Sequence, residues 1–230
     1  MIATPEIPPP LPGLARPTRR GFVGGLALTL AGTDGSAATA RSPIITVLGD
    51  SITAGYGLAA ADALPAQLGL ALGRLGAPAR VRAAGVSGDT SADGLARVGF
   101  SVQADTAVCL VALGGNDLLQ GVDPGVLREN LRAIVRKLKA RGITVVLAGM
   151  RAPPAIGAAY AREFNAVFPS LARVERVALY PYLLDGVASD SRLNQRDAIH
   201  PNAAGVKVIA GRLAPVLAKA LKARALDARR

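Results

Sequence analysis

Residues 45–57 read ITVLGDSITAGYG, an apolar and β-branched run that breaks abruptly on Gly49, Asp50 and Ser51. A run of this kind bounded by turn residues reads as a buried strand. The break itself is ambiguous. Ser and Asp are favoured helix caps and turn formers, so Ser51 is either the start of a helix or a nucleophile presented at the end of a strand.

Outward from this stretch the pattern repeats. Short apolar runs at Ile44–Leu48, Val81–Ala84, Ala107–Leu113, Thr144–Ala148 and Val177–Tyr180 alternate with longer amphipathic segments. Leu64, Leu68, Leu72 and Leu75 recur at near-helical spacing with Gly76 as a stop, and Leu127, Leu131, Ile134, Val135 and Leu138 form a second stripe. Asp123 stands at an N-cap position before Pro124, and Gly142 marks the end of that helix. A last helix is expected to open at Pro201, placing His200 at its N-cap, and to end or kink at Pro215. Strand and helix alternating in this way predict an α/β fold, a parallel sheet of about five strands covered on both faces. Ligands bind such sheets outside the carboxyl ends of the strands. The chemistry-bearing residues do come directly after the apolar runs: GDS after the first, GVSGDTS after the second, GGND after the third.

The first forty residues do not share this pattern. Arg16–Gly32, RPTRRGFVGGLALTLAG, joins arginines to a short Gly-rich apolar run, and Ala38 and Ala40 supply small residues at a cleavage position. This is the composition of an export signal, and TRRGFVG resembles a twin-arginine motif. The apolar run is too short to span a bilayer. The expectation is a leader over 1–40 that is removed on export by the twin-arginine translocation machinery to the periplasm or exterior. One domain over 41–230 would remain, with no stable membrane insertion.

The chain of 230 residues carries a net charge of +11. Removing Arg16, Arg19, Arg20, Glu6 and Asp34 with the leader leaves about +10. Nucleic-acid binding is not indicated, because the cations are scattered over helix faces and aromatic residues, at 3 %, are too few for base-stacking platforms. The single Cys109 lies inside a strand and allows no internal disulfide. One His and one Cys cannot furnish a zinc site, and no phosphate-binding Gly-rich lysine motif occurs. No cofactor is expected.

His200 is the only histidine, so any imidazole chemistry must use it. Asp197, three residues earlier in DAIHPN, can accept its Nδ1 proton and leave Nε2 free as a base. A serine hydroxyl needs such a base to become nucleophilic. Gly88 offers a backbone N–H open to close approach, and Asn116 a side-chain amide at a strand end, as oxyanion donors. Each piece taken alone is also ordinary capping or turn chemistry. Together they describe acyl transfer.

GDSITAGYG, GVSGDTSADGLAR, LGGNDLL and DAIHPNAAG resemble the four sequence blocks of the SGNH hydrolases, also called GDSL esterases, and are most similar to the periplasmic arylesterase, thioesterase I and lysophospholipase group. The resemblance implies a three-layer α/β/α sandwich. It matches Ser51 to the nucleophile, and Ser51 N–H, Gly88 and Asn116 to the oxyanion hole. Asp197 and His200 match the rest of the triad. AGMRAPPAIG, 148–157, is similar to the loop lining the family's substrate cleft, which makes Pro153, Pro154 and Ile156, with Leu118 and Leu119, candidates for the acyl rest. The activity implied is hydrolysis of short or medium acyl or aryl esters, with thioesters or lysophospholipids included. The alternatives are a carbohydrate or peptidoglycan O-acetylesterase and a non-catalytic lipid- or glycan-binding protein. The family's usual Asp-Gly-x-His is Asp197-Ala198-Ile199-His200 here. If that turn needs positive φ, a looser Asp197–His200 contact is expected, since only glycine adopts it at little cost.

Overall fold

The computed structural model describes residues 42–228; the expected leader lies outside them. Among the described residues five strands, β1 (Ile44–Gly49), β2 (Arg80–Gly85), β3 (Thr106–Ala112), β4 (Thr144–Ala148) and β5 (Ala178–Tyr180), form one parallel sheet in the order β2-β1-β3-β4-β5. The reversal of strand order lies between β1 and β3, so their carboxyl ends border the crevice where α/β proteins bind ligands. β1 is buried along its whole length, and β3 nearly so. That explains why both read as unbroken apolar runs rather than as alternating ones.

Seven helices among the same residues connect and cover the strands: α1 (Ser51–Ala54), α2 (Leu64–Arg74), α3 (Ser91–Ser101), α4 (Gly115–Leu119), α5 (Pro124–Ala140), α6 (Ala158–Glu175) and α7 (Ala203–Asp227). α2 packs with α7 in one layer, and α5 packs between α3 and α6 in another, giving a three-layer α/β/α arrangement. Leu64, Leu68 and Leu72 of α2 are fully buried, as are Leu127, Leu131, Ile134, Val135 and Leu138 of α5; Leu75, the fourth member expected in the first stripe, caps the end of α2 and is exposed. Asp123 caps α5 by accepting hydrogen bonds from Gly125 N (2.7 Å) and Val126 N (3.2 Å). Cys109 is fully buried in β3, and burial pushes its thiol up to about 12.

Two expectations for the last helix are corrected. α7 starts at Ala203, capped by Asn202, whose Oδ1 accepts from Ala204 N and Gly205 N. Pro201 instead pairs with Asn194 in an isolated antiparallel bridge, which leaves His200 in the preceding loop. Nor does Pro215 end the helix, which runs on to Asp227. Pro215 and Gly211, the residue whose carbonyl loses its hydrogen bond, both lie on the exposed face. Water can satisfy that carbonyl there.

Candidate active site

The strand ends bring together residues from four separate stretches of chain. Directly after β1, Asp50 caps α1 through Oδ1, which accepts from Ile52 N at 3.0 Å. This sharp entry puts Ser51 in the first turn, where its backbone N–H has no partner within the helix. Ser51 Oγ lies 2.9 Å from His200 Nε2, although 149 positions separate the two residues. His200 Nδ1 lies 2.6 Å from Asp197 Oδ2. An ionised carboxylate only accepts, so Nδ1 carries the proton and Nε2 is left to accept from the serine hydroxyl.

Asp197 is held as firmly as the ring it orients. Its Oδ1 accepts from Ile199 N and His200 N, both at 3.0 Å. The His200 amide and imidazole, with the Ile199 amide next in weight, hold its carboxyl down at about 2. Ala198, in the middle of this turn, has φ +57. The turn therefore does need the left-handed conformation, but the expected loosening of the Asp197–His200 contact does not occur. Three hydrogen bonds to one carboxylate over-determine the turn and force a Cβ-bearing residue into it.

Asn116, at the start of α4, donates from Nδ2 to Asp89 O at 2.9 Å, which ties its amide to the loop that carries Gly88. Gly88 is exposed with φ +91, and a Cβ there would meet nothing within 4 Å. Glycine is thus required by the backbone conformation rather than by crowding. Asp89 is buried and paired with Arg97, whose guanidinium also donates to Gly49 O and Ala84 O, both at 2.8 Å. One side chain from α3 thereby fastens the ends of β1 and β2 to the Gly88 loop. Beside it, Asp117 accepts from Ser91 N and Oγ and so joins α3 to α4.

Asp50, Ser51, Asn116 and His200 line a cleft of about 250 Å³, whereas Gly88 and Asp197 stand outside its lining. Leu118 and Leu119 line it, as expected. Pro153, Pro154 and Ile156 do not. Pro154 and Ile156 lie in an exposed short 3₁₀ turn that Pro153 precedes, and the part of that loop reaching the cleft is Met150 and Arg151, with the Arg151 guanidinium 5.0 Å over the Tyr182 ring. Tyr182, Leu184 and Ile199 complete the walls. Ile199 falls inside the DAIHPN motif, but Tyr182 and Leu184 belong to no recognisable motif, so only the chain's path could reveal them. A larger groove of about 870 Å³ opens at the amino ends of β4 and β5, beside the second half of α7. It is lined by neither Ser51 nor His200 and lies at the wrong end of the sheet for an α/β active site.

Asp50, which the sequence marks only as a turn residue, is 3 % exposed. Burial pushes its carboxyl up to about 6, against the lowering influence of Ile52 N–H and the nearby His200. Among the described residues no group of three His, Cys, Asp or Glu side chains could hold a metal ion. Among them, too, no helix is long and apolar enough to cross a membrane.

A doubly covered parallel sheet with a hydrogen-bonded serine, histidine and aspartate at its carboxyl edge defines a hydrolase type of site on an α/β fold. Residues 47–208 match the GDSL-like Lipase/Acylhydrolase family. The chain is 39 % identical to Esterase TesA of Pseudomonas aeruginosa over 163 residues, covering 70 % of this chain and 81 % of that protein. It is 35 % identical to an arylesterase of Vibrio mimicus over 187 residues, 81 % and 94 % of the two chains. The crystal structure of the psychrotrophic esterase EstA from Pseudoalteromonas, inhibited by monoethylphosphonate, superposes with a TM-score of 0.73 at 27 % identity, covering 79 % of this chain and all of that one. The protein belongs to the GDSL/SGNH hydrolase family and is a carboxylic ester hydrolase.

Proposed function

We propose that the protein is an exported serine esterase working through an acyl-enzyme. Ser51 Oγ attacks the ester carbonyl as His200 Nε2 takes its proton; Asp197 orients the ring and stabilises the imidazolium. The oxyanion is held by Ser51 N–H, Gly88 N–H and the Asn116 amide. The imidazolium then gives its proton to the leaving alcohol. Water, activated by the same imidazole, releases the acid and restores Ser51. The observation that carries this reading is the continuous chain Asp197–His200–Ser51, with contacts of 2.6 and 2.9 Å. A small cleft with apolar walls favours short or medium acyl and aryl esters as substrates, with thioesters and lysophospholipids as further candidates. The paired arginines of the leader favour the twin-arginine translocation machinery as the partner in export to the periplasm or exterior.

The test is the intact mass of residues 41–230 after exposure to a serine-directed fluorophosphonate, with Ser51→Ala and His200→Ala alongside. One adduct on the wild type and none on either variant is expected. An adduct that persists in Ser51→Ala would remove Ser51 from the role of nucleophile, and none on folded wild type would leave no activated serine.

A further inference from the structure

The serine and the imidazole that meet in this site are carried by two separate loops. Ser51 belongs to the short turn of helix after β1; His200 sits in the loop before α7. The chain supplies no covalent tie between them, and their productive distance must be maintained by what joins the loops.

Gln195 makes that join. Its backbone N donates to His200 O at 2.8 Å, which folds the stretch 195–200 back on itself. Its side-chain Nε2 donates in two directions: to Pro201 O at 3.1 Å, on the histidine loop, and to Tyr56 O at 2.7 Å, on the serine loop, 139 positions away. Tyr56 N in turn donates to Ser51 O at 3.0 Å, and the Tyr56 ring lies 4.7 Å from the His200 ring, tilted by 40°. The amide group of one side chain thus bridges the backbone beside the base to the backbone that closes the turn containing the serine. On the other side of the amide, Gly57 leaves room for it: a Cβ there would stand 2.3 Å from Gln195 Oε1.

We propose that Gln195 is a positioning residue that sets the Ser51–His200 distance, acting as a clamp between the nucleophile loop and the histidine loop. It touches neither substrate nor the transferred proton. Its contribution is to proximity: misplacing reacting groups by about an ångström can cost on the order of 100-fold in rate. Both hydrogen bonds of the clamp need an amide donor at the full length of the glutamine side chain. Asparagine is one methylene too short to span both carbonyls, and glutamate has no donor to offer them. The proposal rests on the Ser51–His200 pair being the working nucleophile and base.

Gln195→Ala and the near-isosteric Gln195→Met, which keeps the volume and removes the donor, test the clamp. For both we expect kcat on a short acyl ester to fall about 10- to 100-fold with KM within about twofold of wild type. The rate of fluorophosphonate labelling, which needs the activated pair but no bound acyl chain, should fall by the same factor. Variants that keep wild-type kcat and labelling rate, or losses confined to KM, would overturn the clamp. If wild type itself neither hydrolyses esters nor takes the adduct, the triad reading fails instead, so the two failures are distinguishable.

Discussion

Ala198 shows how a single residue can carry strain in a site without loosening it. Its φ of +57 is one that L-residues adopt at a cost of about 1–2 kcal/mol. Ala198→Gly should therefore stabilise the protein by about 0.5–1 kcal/mol, after allowing for the larger entropy glycine loses on folding. Such a gain raises Tm by about 1–4 °C in a chain of this size. Activity should be unchanged, because the Asp197–His200 contact is already 2.6 Å. A thermal melt and a rate measurement check both, and a lower Tm would mean the turn is not strained. Asp50 carries a different cost. With its carboxyl pushed up to about 6 from 3.8 by burial, its favourable contribution to stability is complete below pH 4 and is lost as pH rises through 6. Asp50→Asn keeps an acceptor for Ile52 N–H and removes the buried charge. It should stabilise the protein by up to about 3 kcal/mol at pH 8 and by about half as much at pH 5. A gain equal at both pH values in melting experiments would assign it to packing rather than ionisation.

At the scale of elements, the site depends on how closely α7 approaches the loop before it. A Cβ on Gly205 would lie 2.1 Å from Leu193 O and 3.0 Å from Val187 Cγ1. Gly205→Ala should push the first turn of α7 away from the loop that carries Asp197 and His200, costing about 1–3 kcal/mol in stability. Activity should fall with it. Unfolding and turnover assays that show neither change would contradict this packing. Elements also differ most plainly in how far their residues announce them. The stripes of α2 and α5 are legible because one face of each helix must be apolar to cover the sheet. The start of α7 is not, because Asn202 outcompetes His200 as cap once Pro201 pairs with Asn194, a contact of the folded loop.

At the scale of the whole molecule, the connections between strands are helices that pack on the sheet and the turns that join them, and among the described residues none folds over the cleft as a separate lid. The walls are set by Leu118, Leu119, Met150 and Ile199 around about 250 Å³. Across a series of p-nitrophenyl esters, kcat/KM should peak between butyrate and octanoate and fall at least about tenfold, about 1.4 kcal/mol, by palmitate. A maximum at palmitate would mean that the acyl chain lies outside this cleft.

Local sequence determined the parts of this protein whose causes are local. Apolar runs without alternation specify strands buried on both faces, and helical stripes specify which side covers them. Ser51, Gly88, Asn116, Asp197 and His200 could be singled out because each residue type brings its own chemistry and each stands just past an apolar run or in a turn motif. Tertiary structure alone decided the rest. The role of Gln195 depends on Tyr56 O, 139 positions away. The buried Arg97 becomes intelligible only when the ends of β1 and β2 lie side by side. The raised carboxyl of Asp50 depends on the burial that the surrounding loops impose. The cleft walls moved from Pro153, Pro154 and Ile156 to Met150 and Arg151 because the direction of a loop is set by what it packs against, and its composition does not encode that.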